Sequence, residues 1–180
     1  MHWDERASQW PRWLRRVLGD DFFNSVVEVD LHETGVSDAE LEHLEGLDQL
    51  QTLRLYGTNV SDAGLEHLKG LNQLQTLELY DTNVGDAGLE HLKGLSRLQL
   101  LALTHTKVTD AGLEHLKGLS QLRTLALSQT EVMEHLKGLA QLQALHLSST
   151  EVTNEGVQRL QQSLPNCKIE HEYPRQRAMQ

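Results

Sequence analysis

Five histidines recur at one repeat position along this chain: His43, His67, His91, His115 and His135, each directly after a glutamate. Imidazoles and carboxylates in a column are the raw material of a metal ladder. Zinc, however, needs its nitrogen ligands about 2.0–2.1 Å from the ion, and packed helices lie about 8–10 Å apart. The spacing therefore predicts a solvated column of surface histidines and no metal. A second set, Asp81, His105 and Ser128, falls close together in three successive copies of the same interval and has the residue types of an acid–base–nucleophile triad. A triad also needs a pocket and an oxyanion hole. A smooth row of short segments supplies neither, so the chain is not expected to be an enzyme or to hold a cofactor. The single cysteine, Cys167, excludes an intramolecular disulfide and a cysteine-based zinc cage.

The charge balance narrows the partners. With 16 basic and 26 acidic side chains among 180 residues, the net charge is −10. A nucleic-acid backbone is bound by Lys and Arg that displace counterions, so nucleic acid is not an expected partner. No apolar run approaches the roughly 18 residues of a membrane span, and the opening "MHWDERASQW" lacks the apolar core of a signal peptide. A cytoplasmic, monomeric protein is the expectation.

The elements that must position these residues form a repeat. Units of 24 residues start at Val26, Leu50, Leu74 and Leu98, followed by one of 20 residues at Leu122 and one of 22 at Leu142. Each opens apolar-x-x-apolar-x-apolar, as in Leu50, Leu53, Leu55, and alternation at the last two positions predicts a short strand with one face buried. Three residues later stands a Thr (Thr34, Thr58, Thr82, Thr106, Thr130, Thr150), and two after it a Val. The second half, "VSDAGLEHLKGL", predicts a helix, with Ser61 as its cap and Ser37–Glu40 as a capping box in the first unit. Glu66–Lys69 and its copies are spaced as surface pairs. No such unit can bury its leucines alone, so the units must stack.

Six tandem copies with this leucine spacing, from 26 to 171, resemble leucine-rich repeat proteins. The units look most like the bacterial type ending "T-x-V-T-D-A-G-L-x-x-L", and the closing Leu164–Ile169 is similar to the end of ribonuclease-inhibitor-like domains. The resemblance implies an α/β right-handed solenoid, with a concave parallel sheet of about seven short strands and short convex helices. It also implies protein binding through the concave sheet. Thr here replaces the usual ladder Asn, so a hydroxyl must satisfy the backbone of each turn.

The expected organisation is an N-terminal helical cap over 1–24, six repeats over 25–163, and a closing strand with a disordered tail over 164–180. The cap reading rests on Trp10, Trp13, Leu14, Val17 and Leu18, which share one helical stripe over the end of the core. The fifth unit reads "QTEVMEHLKGL" and lacks the "TDAG" of its neighbour. Four residues are close to one helical turn of about 3.6, so Met133, Leu136 and Leu139 should keep their facing and the strand at Thr124–Leu127 should be unaffected.

The copies differ mainly where the strands face outward. "GLEHLKGL" occurs three times unchanged, whereas the outward positions run Asp30, Arg54, Glu78, Ala102, Ala126, His146 and His32, Tyr56, Tyr80, Thr104, Ser128, Ser148. Tyr and Arg are enriched among residues that dominate binding energy. The expected partner-binding residues are Asp30, Arg54, Tyr56, Glu78, Tyr80, Asp81, His105 and His146, and the expected partner is a protein or peptide, basic to match the acidic chain. The alternative is a scaffold or repeat remnant without a specific ligand.

Overall fold

The computed structural model describes residues 25–132, 136 and 138–171. The expected cap over 1–24, Met133 and the tail over 172–180 lie outside the described residues. Within them, seven three-residue strands form one parallel sheet in sequence order: β1 (Glu28–Asp30), β2 (Thr52–Arg54), β3 (Thr76–Glu78), β4 (Leu100–Ala102), β5 (Thr124–Ala126), β6 (Ala144–His146) and β7 (Lys168–Glu170). The central residue of each inner strand, Leu53, Leu77, Leu101, Leu125 and Leu145, is fully buried. The residues on either side of it face outward and are partly exposed, as the alternation requires.

Pairing extends past the strands into the turns. The N–H groups of Glu33, Gly57, Asp81 and His105 donate to Tyr56, Tyr80, Thr104 and Ser128 carbonyls at 2.8–3.1 Å. Beneath them the Thr column is anchored: Thr58, Thr82, Thr106 and Thr130 are buried, and each hydroxyl donates to the carbonyl three residues earlier at 2.5–2.6 Å. The short hydroxyl thus satisfies one turn carbonyl that faces the core.

The outer layer differs from a row of regular helices. It consists of 3₁₀ segments (Asp38–Leu44, Gly64–Leu68) and single α-turns running into 3₁₀ (Asp86–Leu89 with Glu90–Leu92, Asp110–Leu113 with Glu114–Leu116). Among the described residues only the last unit carries a longer helix, Asn154–Ser163. The capping box at Ser37 and Glu40 forms, and Glu40 accepts the Ser37 N–H at 2.8 Å. Ser61, in contrast, does not cap its own unit. Its N–H and hydroxyl donate to the two oxygens of Asp38 in the preceding unit, at 2.7 and 2.6 Å.

This staple repeats. Asp62 accepts the Gly85 N–H at 2.6 Å, and Asp86 accepts both the N–H and the hydroxyl of Thr109 at 2.7 Å. The glycines of the "DAG" triplets make room for it, because a Cβ on Gly88 would lie 2.6 Å from Asp62 Oδ1 and 3.2 Å from its Cα. In the first unit Glu40 stands where Gly64 stands in the second, and it serves the Ser37 capping box instead.

The shortened unit keeps its register. β5 pairs with β4 and with β6 throughout, the step to β6 being Thr124 to Ala144 in place of the usual 24 residues. Leu136 and Leu139 stay buried, as Leu116 and Leu119 are. The four missing residues include an Asp and a Gly of the staple column. Gly138 takes φ +106°, left-handed like Gly46 at the same repeat position of the first unit (+84°) and unlike Gly94 and Gly118.

Replacing Thr82 with Val keeps shape and volume but leaves the Leu79 carbonyl without its donor. The urea midpoint should fall by an amount equivalent to about 1–3 kcal/mol, with an unchanged m value. Gly88→Ala should cost about 1–3 kcal/mol by overpacking against Asp62. Combining it with Asp62→Ala should cost less than the sum of the two single changes. Additive losses would mean that Gly88 and Asp62 do not share this contact.

Candidate functional site

The outward residues of β1–β3 assemble two adjoining features. The first is ionic. Arg54 lies between three carboxylates: its Nη1 pairs with Glu28 and, at 3.5 Å, with Asp30, and its Nε donates to Glu78 at 3.3 Å. The Glu28 bond, followed by the charges of Glu28, Glu78 and Asp30, holds the guanidinium above its ordinary pKa. Asp30 also receives the His32 ring nitrogen at 2.5 Å, and that bond, aided by the charges of His32 and Arg54, keeps its carboxyl below the usual range. The sequence paired these residues only by register; the structure makes them one network across three strands.

The second feature is aromatic. His32, Tyr56 and Tyr80 occupy one outward position on successive repeats and stack face to face. Ring centroids are 4.6 Å apart at 16° for His32–Tyr56 and 4.2 Å at 11° for Tyr56–Tyr80. Both distances are below the strand spacing of about 4.7–4.9 Å, as side chains on the inner side of a curved sheet must be. Burial, then the neighbouring Tyr56 hydroxyl, push the Tyr80 phenol up to about 12, so it stays protonated at neutral pH. His32 had been noted only as part of the variable column. Its position ahead of Tyr56 and Tyr80 in one repeat column was the available signal.

Asp81 and His105 are not on the strands. They sit in the turns behind Tyr80 and Thr104, exposed, with Asp81 Oδ1 2.9 Å from His105 Nδ1. Ser128 belongs to a different repeat position and meets His105 through its carbonyl, which accepts the His105 N–H at 2.9 Å. The acid–base pair is therefore real, and the nucleophile of a triad is not placed beside it. Asp81 and His105 help line a shallow cleft of about 480 Å³ along the turns, with Asn59, Asn83 and Lys107. His146 is three strands away from the tyrosines and pairs with Glu170 at 2.8 Å. Of the eight expected residues, five form one cluster, two form the adjoining turn pair, and His146 stands apart.

Of the histidine column, His43, His67, His91 and His115 are half-buried, and His135 lies outside the described residues. His67 reaches Glu45 of the preceding unit at 2.6 Å, and the Glu–Lys pairs form at 3.2, 3.1 and 2.6 Å. Among the described residues no group of three or more His, Cys, Asp or Glu converges as metal ligands would.

Comparison with known proteins agrees with this architecture. Residues 141–160 match the family model "Leucine Rich repeat". A comparison with curated protein sequences finds no significant match. Among solved structures, a Listeria monocytogenes internalin C2 is similar at TM-score 0.57 and 19% identity, over 84% of this chain and 83% of that one. A Leptospira interrogans leucine-rich repeat protein is similar at TM-score 0.67 and 21% identity, over 87% of this chain but only 39% of that one. The fold is that of a leucine-rich repeat solenoid.

In this solenoid the turn position of Asp81 and His105 carries a backbone constraint. Glu33, Asp81, His105, Gln129 and Ser149 all have φ of 52–58°, and Gly57 takes the same place at 65°. Five copies of one left-handed residue make the conformation architectural, since the turn must reverse before the buried Thr. Side chains there are free to vary only among residues that tolerate it. Replacing His105 with Gly or Asn should leave the melting temperature unchanged or higher, while His105→Val should cost about 1–2 kcal/mol. A Val variant as stable as wild type would exclude this constraint.

Proposed function

We propose that the chain is a non-catalytic binding module that takes a basic protein or peptide on the concave sheet, at the face built by Asp30, Arg54, Tyr56, Glu78 and Tyr80. Asp81 and His105 form the rim of that face, and His146 a separate contact further along it. The observation that carries the reading is the placement of variation. Units that are identical across "GLEHLKGL" diverge at the outward strand positions, and there the residues combine into an aromatic stack beside an ion network. Three carboxylates, Glu28, Asp30 and Glu78, surround the Arg54 guanidinium, and Glu33 and Asp81 stand in the adjoining turns, an acidic excess that favours a cationic partner by charge complementarity.

Nucleic acid and membrane are not partners in this reading. No helix of the described residues is long and apolar enough to cross a membrane. We read the protein as a cytoplasmic monomer with a capping segment over 1–24, six repeats over 25–163 and a closing strand after them. In the same reading the closing Leu164–Ile169 is ribonuclease-inhibitor-like.

The test is capture from a lysate of the source cell by the full chain, compared with Tyr56→Ala/Tyr80→Ala. The double variant should keep its circular dichroism spectrum and lose the captured protein, with wild-type capture weakening as salt is raised. Capture indifferent to both tyrosines would favour a scaffold or repeat remnant without a specific ligand.

A further inference from the structure

The aromatic stack is unfinished. Tyr80 lies against Tyr56 with 11° between the rings, so its second face points along the same axis, across β4. The register there is fixed: Glu78 pairs with Ala102, and the Asp81 N–H donates to the Thr104 carbonyl at 3.0 Å. Thr104 is thus the β4 counterpart of Tyr80. Its side chain ends one atom beyond Cβ, far short of the height of a tyrosine ring, and Ser128 and Ser148 follow it in the same row. Ala102 and Ala126 occupy the adjoining outward row. The row therefore steps down abruptly at β4, leaving a ring face beside a low floor.

The chemistry of the step is defined by its neighbours. Glu78 lies next to the Tyr80 position on β3, and Asp81 follows Tyr80 in the turn. A planar cation would gain ring contact and charge together, because a guanidinium stacks flat on an aromatic face while an ammonium is a compact, strongly hydrated charge. The protein already satisfies one guanidinium on this face, that of Arg54, with Glu28, Asp30 and Glu78.

We propose that the step above Thr104 is a slot for an arginine side chain of the partner, with its guanidinium stacked on the free face of Tyr80 and its charge met by Glu78. The slot rests on the reading of a basic partner given above and narrows it from basic to arginine-bearing. Ala102 and Thr104 form the floor, and Tyr80 with Glu78 forms the wall.

The experiment is an NMR titration of the full chain, labelled at Thr methyl groups and Tyr rings, with the peptide Ac-Gly-Arg-Gly-NH2. The lysine peptide and the neutral citrulline peptide of the same length are the controls. The arginine peptide should move the Thr104 methyl and Tyr80 ring signals and bind about three- to tenfold more tightly than the lysine peptide, with citrulline weaker than both. Thr104→Tyr should extend the stack into the slot, keep or raise the melting temperature, and weaken arginine binding at least tenfold. Glu78→Gln, which leaves the floor intact, should weaken it about threefold. Equal binding of lysine and arginine, or arginine binding retained in Thr104→Tyr, overturns the slot. Partner capture that survives Thr104→Tyr but is lost in Tyr56→Ala/Tyr80→Ala would overturn the slot alone and leave the basic-partner reading standing. Capture that survives both would remove that reading as well.

Discussion

A strand of three residues, one turn and a 3₁₀ segment cannot enclose the leucines they carry, and every other feature of this protein follows from that incapacity. Each unit closes its core only against the next, so the neighbours must meet in a fixed register. Leu53, Leu77, Leu101, Leu125 and Leu145 line up because each strand pairs residue for residue with the one before it. Fixing the register fixes what lies on both sides of it. The buried Thr hydroxyls must find the same carbonyl in each turn, and the residue ahead of each Thr must accept a left-handed backbone.

The same constraint explains the outer layer. Asp38, Asp62 and Asp86 tie each of the first three units to the following one through its backbone N–H, and the glycine three residues beyond that N–H keeps the space open. Uniform "DAG" triplets are thus a stacking device more than a helix signal. Where the fifth unit omits the triplet, β5 still pairs in register with β4 and β6.

Freed from the core, the outward strand positions are where the units can differ at small cost in stability. Partly exposed ion pairs such as those of Arg54 contribute modestly to folding, so the network around it shapes a surface more than it holds the fold. The curvature adds something that spacing alone does not. By drawing inner-face side chains together, it presses His32, Tyr56 and Tyr80 into one stack, with Tyr80 at its end.

Much of this was legible in the residues. The 24-residue period, the buried leucine pattern and the Thr column determined the strands, their order and their inward faces, because a period-two alternation admits one placement of each side chain. The variable columns named Arg54, Tyr56, Glu78 and Tyr80 for the same reason. Tertiary structure decided what depends on the offset between units. Ser61 looked like the cap of its own helix, but its hydroxyl is claimed by Asp38 of the preceding unit. Asp81, His105 and Ser128 looked adjacent, but a one-residue offset puts the first two in turns and the third on a different face position. His146 shares a repeat position with Arg54 and Glu78, yet four strand positions separate it from Arg54 and it pairs with Glu170 instead. A repeat reveals which positions are equivalent within one unit. Which atoms of successive units touch is set by the stacking distance and curvature, which no single unit contains.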